Sequence, residues 1–107
     1  MSKDTFSVTE EKGAQGSGFS RFVVAGHITS ANADILQHKL SVAYDAGRKQ
    51  MIVNMRQVPF LSSGGIRVLL MFYKRAKKEG GSFHIEDPSD NVVGVLGMTA
   101  LEDLLIK

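Results

Sequence analysis

The chain has 107 residues, 43% of them hydrophobic and 22% charged, with thirteen Lys and Arg against eleven Asp and Glu and no cysteine. One domain with one core, residues 1–107, is the expectation at this length, and the missing cysteines exclude disulfide frameworks, thiolate zinc sites and thiol nucleophiles. A formal net charge of +2 and a set of six phenylalanines, two tyrosines and no tryptophan make a poor footprint for nucleic acid, which asks for a basic patch and stacking rings.

No apolar run approaches the ~18 residues a bilayer span needs. The opening MSKDTFSVTE lacks the basic head and apolar stretch of a secretory signal. A cytoplasmic protein without membrane insertion is therefore expected.

FSVTEE near the start and FSRFVVA at 19–25 read as strands, with KGAQGSG between them as a glycine-rich hairpin loop. Gly26 ends the second strand. Ser30 then offers an N-cap, and Ile35, Leu36, Leu40 and Ala43 recur at helical spacing. Gly47 is a natural stop. QMIVNM at 50–55 is short and apolar, the pattern of a strand buried on both faces.

A second helix enters through Ser62-Ser63-Gly64-Gly65, buries Ile66, Leu69, Leu70, Tyr73 and Ala76, and leaves through Gly80-Gly81. Its Lys74, Arg75, Lys77 and Lys78 suit the negative end of the helix dipole and read as a solvated helix end. SFHIE at 82–86 is a strand and Asp87-Pro88 a turn. Ser89 caps a last helix on Val92, Val95 and Leu96, broken near Gly97 and resumed through Leu101, Leu104 and Leu105. Strands alternating with helices imply parallel crossovers after an antiparallel hairpin. The predicted fold is a small α/β domain with a mixed, mainly parallel sheet of four to five strands and about three helices.

Enzyme constellations are thin. His27, His38 and His84 lack metal-ligand spacing, and no nucleophile elbow, phosphate loop or dinucleotide fingerprint occurs. The expectation is a protein that is not an enzyme and needs no metal or cofactor.

The informative stretch is VPFLSSGGIRVLL, residues 58–70. Two readings stand side by side. Either serine caps the helix and the glycines permit a tight turn. Alternatively, a hydroxyl at an exposed helix N-terminus accepts a phosphoryl group, whose charge of about −1.5 to −2 the dipole and first-turn amides tolerate.

IVNMRQVPFLSSGGIRVLL, followed by KRAKKEGGSFHIEDPSDNVVGVLGMTALEDLL, resembles the STAS family, above all its free-standing bacterial anti-sigma factor antagonists. The family pattern is a buried strand, Phe-Leu-Asp-Ser-Ser/Ala/Thr-Gly-Leu, and a helix with paired leucines. On that alignment Ser63 matches the serine that a partner kinase phosphorylates, Gly64 the small polar residue after it, and Gly65 the motif glycine. Ser62 stands at the family's aspartate. Gly26 matches a Gly-x-Leu-Asp turn whose acidic position is Thr29.

The resemblance implies regulation of transcription by partner switching. Unmodified protein binds an anti-sigma factor with serine kinase activity, and phosphorylation of Ser63 breaks the complex until a serine phosphatase restores it. Thr29, Ser30, Ser62, Ser63, Gly64, Gly65 and Arg67 form the implied partner surface. Arg67 is either a solvated side chain or the pair of an acidic partner or of phosphoserine. Two further readings follow from the family: an accessory subunit docking on the ATPase of an ABC lipid transporter, and a module binding a small ligand such as a nucleotide beside Gly64 and Gly65.

Overall fold

The structure is a computed structural model, and it describes residues 6–12 and 19–98. Four strands form one sheet in the order β1-β2-β3-β4: β1 Ser7–Lys12, β2 Phe19–Ala25, β3 Gln50–Gln57 and β4 Ser82–Glu86. β1 runs antiparallel to β2, whereas β2, β3 and β4 are parallel. Helix α1, Ala33–Asp45, links β2 to β3; α2, Ser63–Glu79, links β3 to β4; α3, Asp90–Met98, follows β4. The predicted mixed, mainly parallel sheet is thus present with four strands. The hairpin loop at 13–18, and the helical stretch read through Leu101, Leu104 and Leu105, lie outside the described residues.

Side chains on a strand alternate between faces, and the register aligns one face into a core. Ser20, Met51 and Phe83 share a row, as do Phe22, Val53 and Ile85. On that face Leu36, Leu40, Val68, Leu69, Phe72, Val92 and Leu96 from the three helices complete a single buried cluster. Opposite rows carry Arg21, Ile52 and His84, then Val23, Asn54 and Glu86, most of them only half-buried. The expectation that β3 is buried on both faces holds only in part, since on the second face Asn54 is buried but Ile52 is half-buried. Its core face is apolar, and its other face is held by polar links: Arg21 bridges Glu11 and Glu86, and Asn54 donates to Glu86 at 2.9 Å.

Helix positions differ from the periodicity reading in two respects. Ile35 is 51% exposed, and Tyr44 takes the inner face of α1 alongside Leu36, Leu40 and Ala43. On α2 the buried stripe is Gly65, Val68, Leu69, Phe72 and Ala76, with Ile66 and Tyr73 at its margin. The last helix includes Gly97 and reaches Met98, where the described residues end. Two stops fall as expected: Gly47 (φ 98°) and Gly80 (φ 80°) sit in the left-handed region that closes α1 and α2. Arg75 is not merely solvated, since it pairs with Asp45 and Glu79 and lies 4.3 Å over the Tyr44 ring.

Candidate functional site

All three helices begin at the end of the sheet where β2, β3 and β4 finish, a consequence of parallel strands joined by crossovers. Two loops meet there. Gly26 donates to Gln57 O and Ile28 to Phe60 O, each at 2.9 Å, and Ser62 donates back to Ile28 O at 2.9 Å. Ile28 and Leu61 form a parallel bridge and are both buried. The loop after β2 is therefore sewn to the loop entering α2, which brings Thr29 and Ser30 against the serine–glycine turn.

Ser62 is the N-cap of α2. Its backbone is extended (φ −78°, ψ 168°), its Oγ accepts from Gly65 N at 3.2 Å, and its carbonyl accepts from Ile66 N. Ser62 thus fills the capping role that a serine or aspartate side chain suits. Ser63 is the first helical residue and its side chain faces solvent.

Gly64 faces Ser30, where a Cβ would lie 3.4 Å from Ser30 Cα. Gly65 is more constrained, because a Cβ there would come within 2.6 Å of both Ile28 Cγ2 and Leu61 Cδ1. Close approach of buried side chains, rather than a positive φ, makes Gly65 a glycine.

The loop opposite is fixed differently from the sequence expectation. Ser30 does not cap α1. Thr29 and Asn32 form a reciprocal pair instead, with Thr29 N donating to Asn32 Oδ1 at 2.8 Å and Asn32 N to Thr29 Oγ1 at 3.3 Å. Asn32 Nδ2 also donates to His27 O. This is the logic of a capping box, and it leaves Ser30 exposed at the rim.

Of the residues named for the partner surface, Thr29, Ser30 and Ser62 to Gly65 are brought together, and exposed Arg67 stands one turn further along α2. No acidic residue occupies the first turn of α2, so its positive dipole end is not neutralised from its own helix. The sequence reading missed Phe60, which is 45% exposed beside this turn, with its ring 6.0 Å from that of His27. An aromatic immediately before the buried Leu61 was the available signal.

Among the described residues no group of three His, Asp or Glu side chains is placed to hold a metal, and no helix is long and apolar enough to cross a membrane. Two hollows, of about 230 and 210 Å3, lie away from the turn. One is lined by Val8, Glu10, Phe22 and α1, the other by the end of α2 and β4.

A family model described as STAS domain matches residues 14–107. The chain belongs to the STAS domain family. It is 29% identical over 82 residues to the anti-sigma-B factor antagonist of Bacillus subtilis, covering 77% of this chain and 74% of that one. The fold is similar to an anti-sigma factor antagonist from Mycobacterium paratuberculosis, at a TM-score of 0.81 and 21% identity over 97% of this chain and 86% of that one. It is also similar to the anti-sigma factor antagonist SpoIIAA in its unphosphorylated form, at 0.77 and 17% over 95% and 86%. SpoIIAA has also been solved in a phosphorylated form. This STAS domain therefore shares its whole described architecture with proteins named as anti-sigma factor antagonists.

Proposed function

We propose that this protein is a cytoplasmic anti-sigma factor antagonist that works by partner switching, with residues 1–107 acting as one unit. It acts by binding rather than by catalysis. Unmodified, it holds an anti-sigma factor with serine kinase activity and so releases the sigma factor. Phosphorylated on Ser63, it loses that partner until a serine phosphatase resets it. The docking surface is Thr29, Ser30, Ser62 to Gly64 and Arg67; Gly65, named with them from the sequence, is buried beneath that surface against Ile28 and Leu61.

One observation carries this reading. Ser63 sits exposed at the first position of α2, on a turn locked from beneath, in a chain with 29% identity to a named anti-sigma factor antagonist. SpoIIAA, a structural relative, is described both with and without phosphate.

In the modification the Ser63 Oγ attacks the γ-phosphorus of a nucleoside triphosphate held by the kinase. The Oγ–P bond forms as the bond to the bridging β–γ oxygen breaks, the nucleoside diphosphate leaves, and the hydroxyl proton passes to a base on the kinase. The product carries about two negative charges. Driving a complex from 1:99 to 99:1 takes about 5.5 kcal/mol of differential binding, and an unpaired charge forced into a packed interface costs at least several kcal/mol.

The test is capture of partners by the tagged protein from its own cells, followed by calorimetry with the captured anti-sigma factor. Ser63→Ala is expected to bind like the parent, because the cap belongs to Ser62, while Ser63→Asp binds more weakly. Equal affinities refute the switch. An ABC ATPase in the eluate with Ser63 unmodified identifies a docking subunit instead.

A further inference from the structure

We propose that Arg67 is the side chain that receives the phosphoryl group of Ser63, an inference that rests on the partner-switching reading and adds to it the residue by which the modification is sensed within the chain. Ser63 and Arg67 are four residues apart on α2 and both exposed. That spacing puts their Cβ atoms roughly 5–6 Å from each other on one side of the helix. Helical side chains lean towards the N-terminus, so a long side chain at position 67 extends back over the turn that holds Ser63.

The guanidinium is also available. Arg21, Arg48 and Arg75 are each engaged by carboxylates, whereas Arg67 makes no ion pair among the described residues. It is the one cation in the first two turns of α2, which carry no acid. A planar guanidinium matches phosphate oxygens in a two-pronged contact that a lysine does not reproduce.

Before modification this cation is presented to the partner, where it suits an acidic group. After modification it is held by the phosphate. The switch then acts twice, adding negative charge to the turn and withdrawing the positive charge that stood beside it.

The experiment needs no partner. Phosphoserine is placed at position 63 during translation, and the second ionisation of the phosphate is followed by 31P NMR in the parent, Arg67→Gln and Arg67→Lys. The expected result is a gain of about 1.4- to 2.3-fold in proton affinity of the phosphate in Arg67→Gln, the size typical of losing one exposed i,i+4 ion pair, with Arg67→Lys in between. Identical titrations in the parent and Arg67→Gln overturn the proposal. A thermal double-mutant cycle between Ser63→Asp and Arg67→Gln is the second readout: coupling supports the pairing and strict additivity refutes it.

These outcomes are separable from the partner-switching reading. A changed titration with no anti-sigma factor captured keeps the pairing and removes the switch, whereas a captured kinase with an unchanged titration does the reverse.

Discussion

Replacing Gly65 by alanine tests whether the serine turn is locked by close packing. Alanine normally favours a helix over glycine by at most about 1 kcal/mol, so propensity alone predicts a more stable protein. Packing predicts the opposite. The new methyl carbon would sit 2.6 Å from Ile28 Cγ2 and from Leu61 Cδ1, on side chains only 0% and 3% exposed. Leu61 can rotate its far end, but Ile28 Cγ2 moves only by χ1 rotation, which β-branching and full burial restrict, or with its backbone. Overpacking of this kind costs about 1–3 kcal/mol.

Net destabilisation of about 1–2 kcal/mol is therefore expected for Gly65→Ala, a fall in melting temperature of roughly 5–10 °C for a domain this size. Gly94→Ala is the matched control. It lies in α3 with nothing within 4 Å of the new carbon, and it should gain up to about 1 kcal/mol from propensity. Urea denaturation followed by circular dichroism gives both values. A Gly65→Ala protein as stable as the parent refutes the packing argument.

The two serines should separate in the same assay. Ser62→Ala removes the acceptor for Gly65 N and is expected to cost about 1 kcal/mol, whereas Ser63→Ala changes stability by less than about 0.5 kcal/mol, as exposed substitutions usually do; equal losses contradict the assignment of the cap. Glu86 provides a pH test. Hydrogen bonds from Arg21, then from Asn54, hold its carboxyl below the ordinary value of 4.5. The unfolded chain then binds the proton more readily, so this contribution is present above pH 4.5 and is lost as pH falls through the lower folded value. Glu86→Gln should be less stable than the parent at neutral pH and converge with it in strong acid. A stability gap that does not change with pH would show that the network adds no acid sensitivity.

The order of strands and helices was legible because glycine and proline punctuate this chain at nearly every boundary. Faces were harder to read. In α2 the run Ile66 to Tyr73 is apolar at every position except Arg67, so several stripes fit the period equally well. The one observed is set by which side chains, Val68 and Phe72 among them, meet the sheet. Ile35 was misplaced for the same reason: an apolar residue beside Leu36 fits the pattern, but only Leu36 points inward. The cap of α1 was expected at Ser30, but Thr29 and Asn32 bond each other across the turn before the helix and leave Ser30 outside that pair.

The serine–glycine motif itself was plain in the sequence. That its second glycine answers to Ile28, thirty-seven residues earlier, could not be read locally.

That long-range contact also bears on timing. A turn fastened to its neighbour by the Ile28–Leu61 bridge and its flanking amides is expected to act as a rigid epitope, without a slow rearrangement before binding. The pace of any signal read at this surface is then set by encounter and departure of the partner, and by how fast a mark is written or erased. A lag longer than those steps would have to arise elsewhere in the circuit.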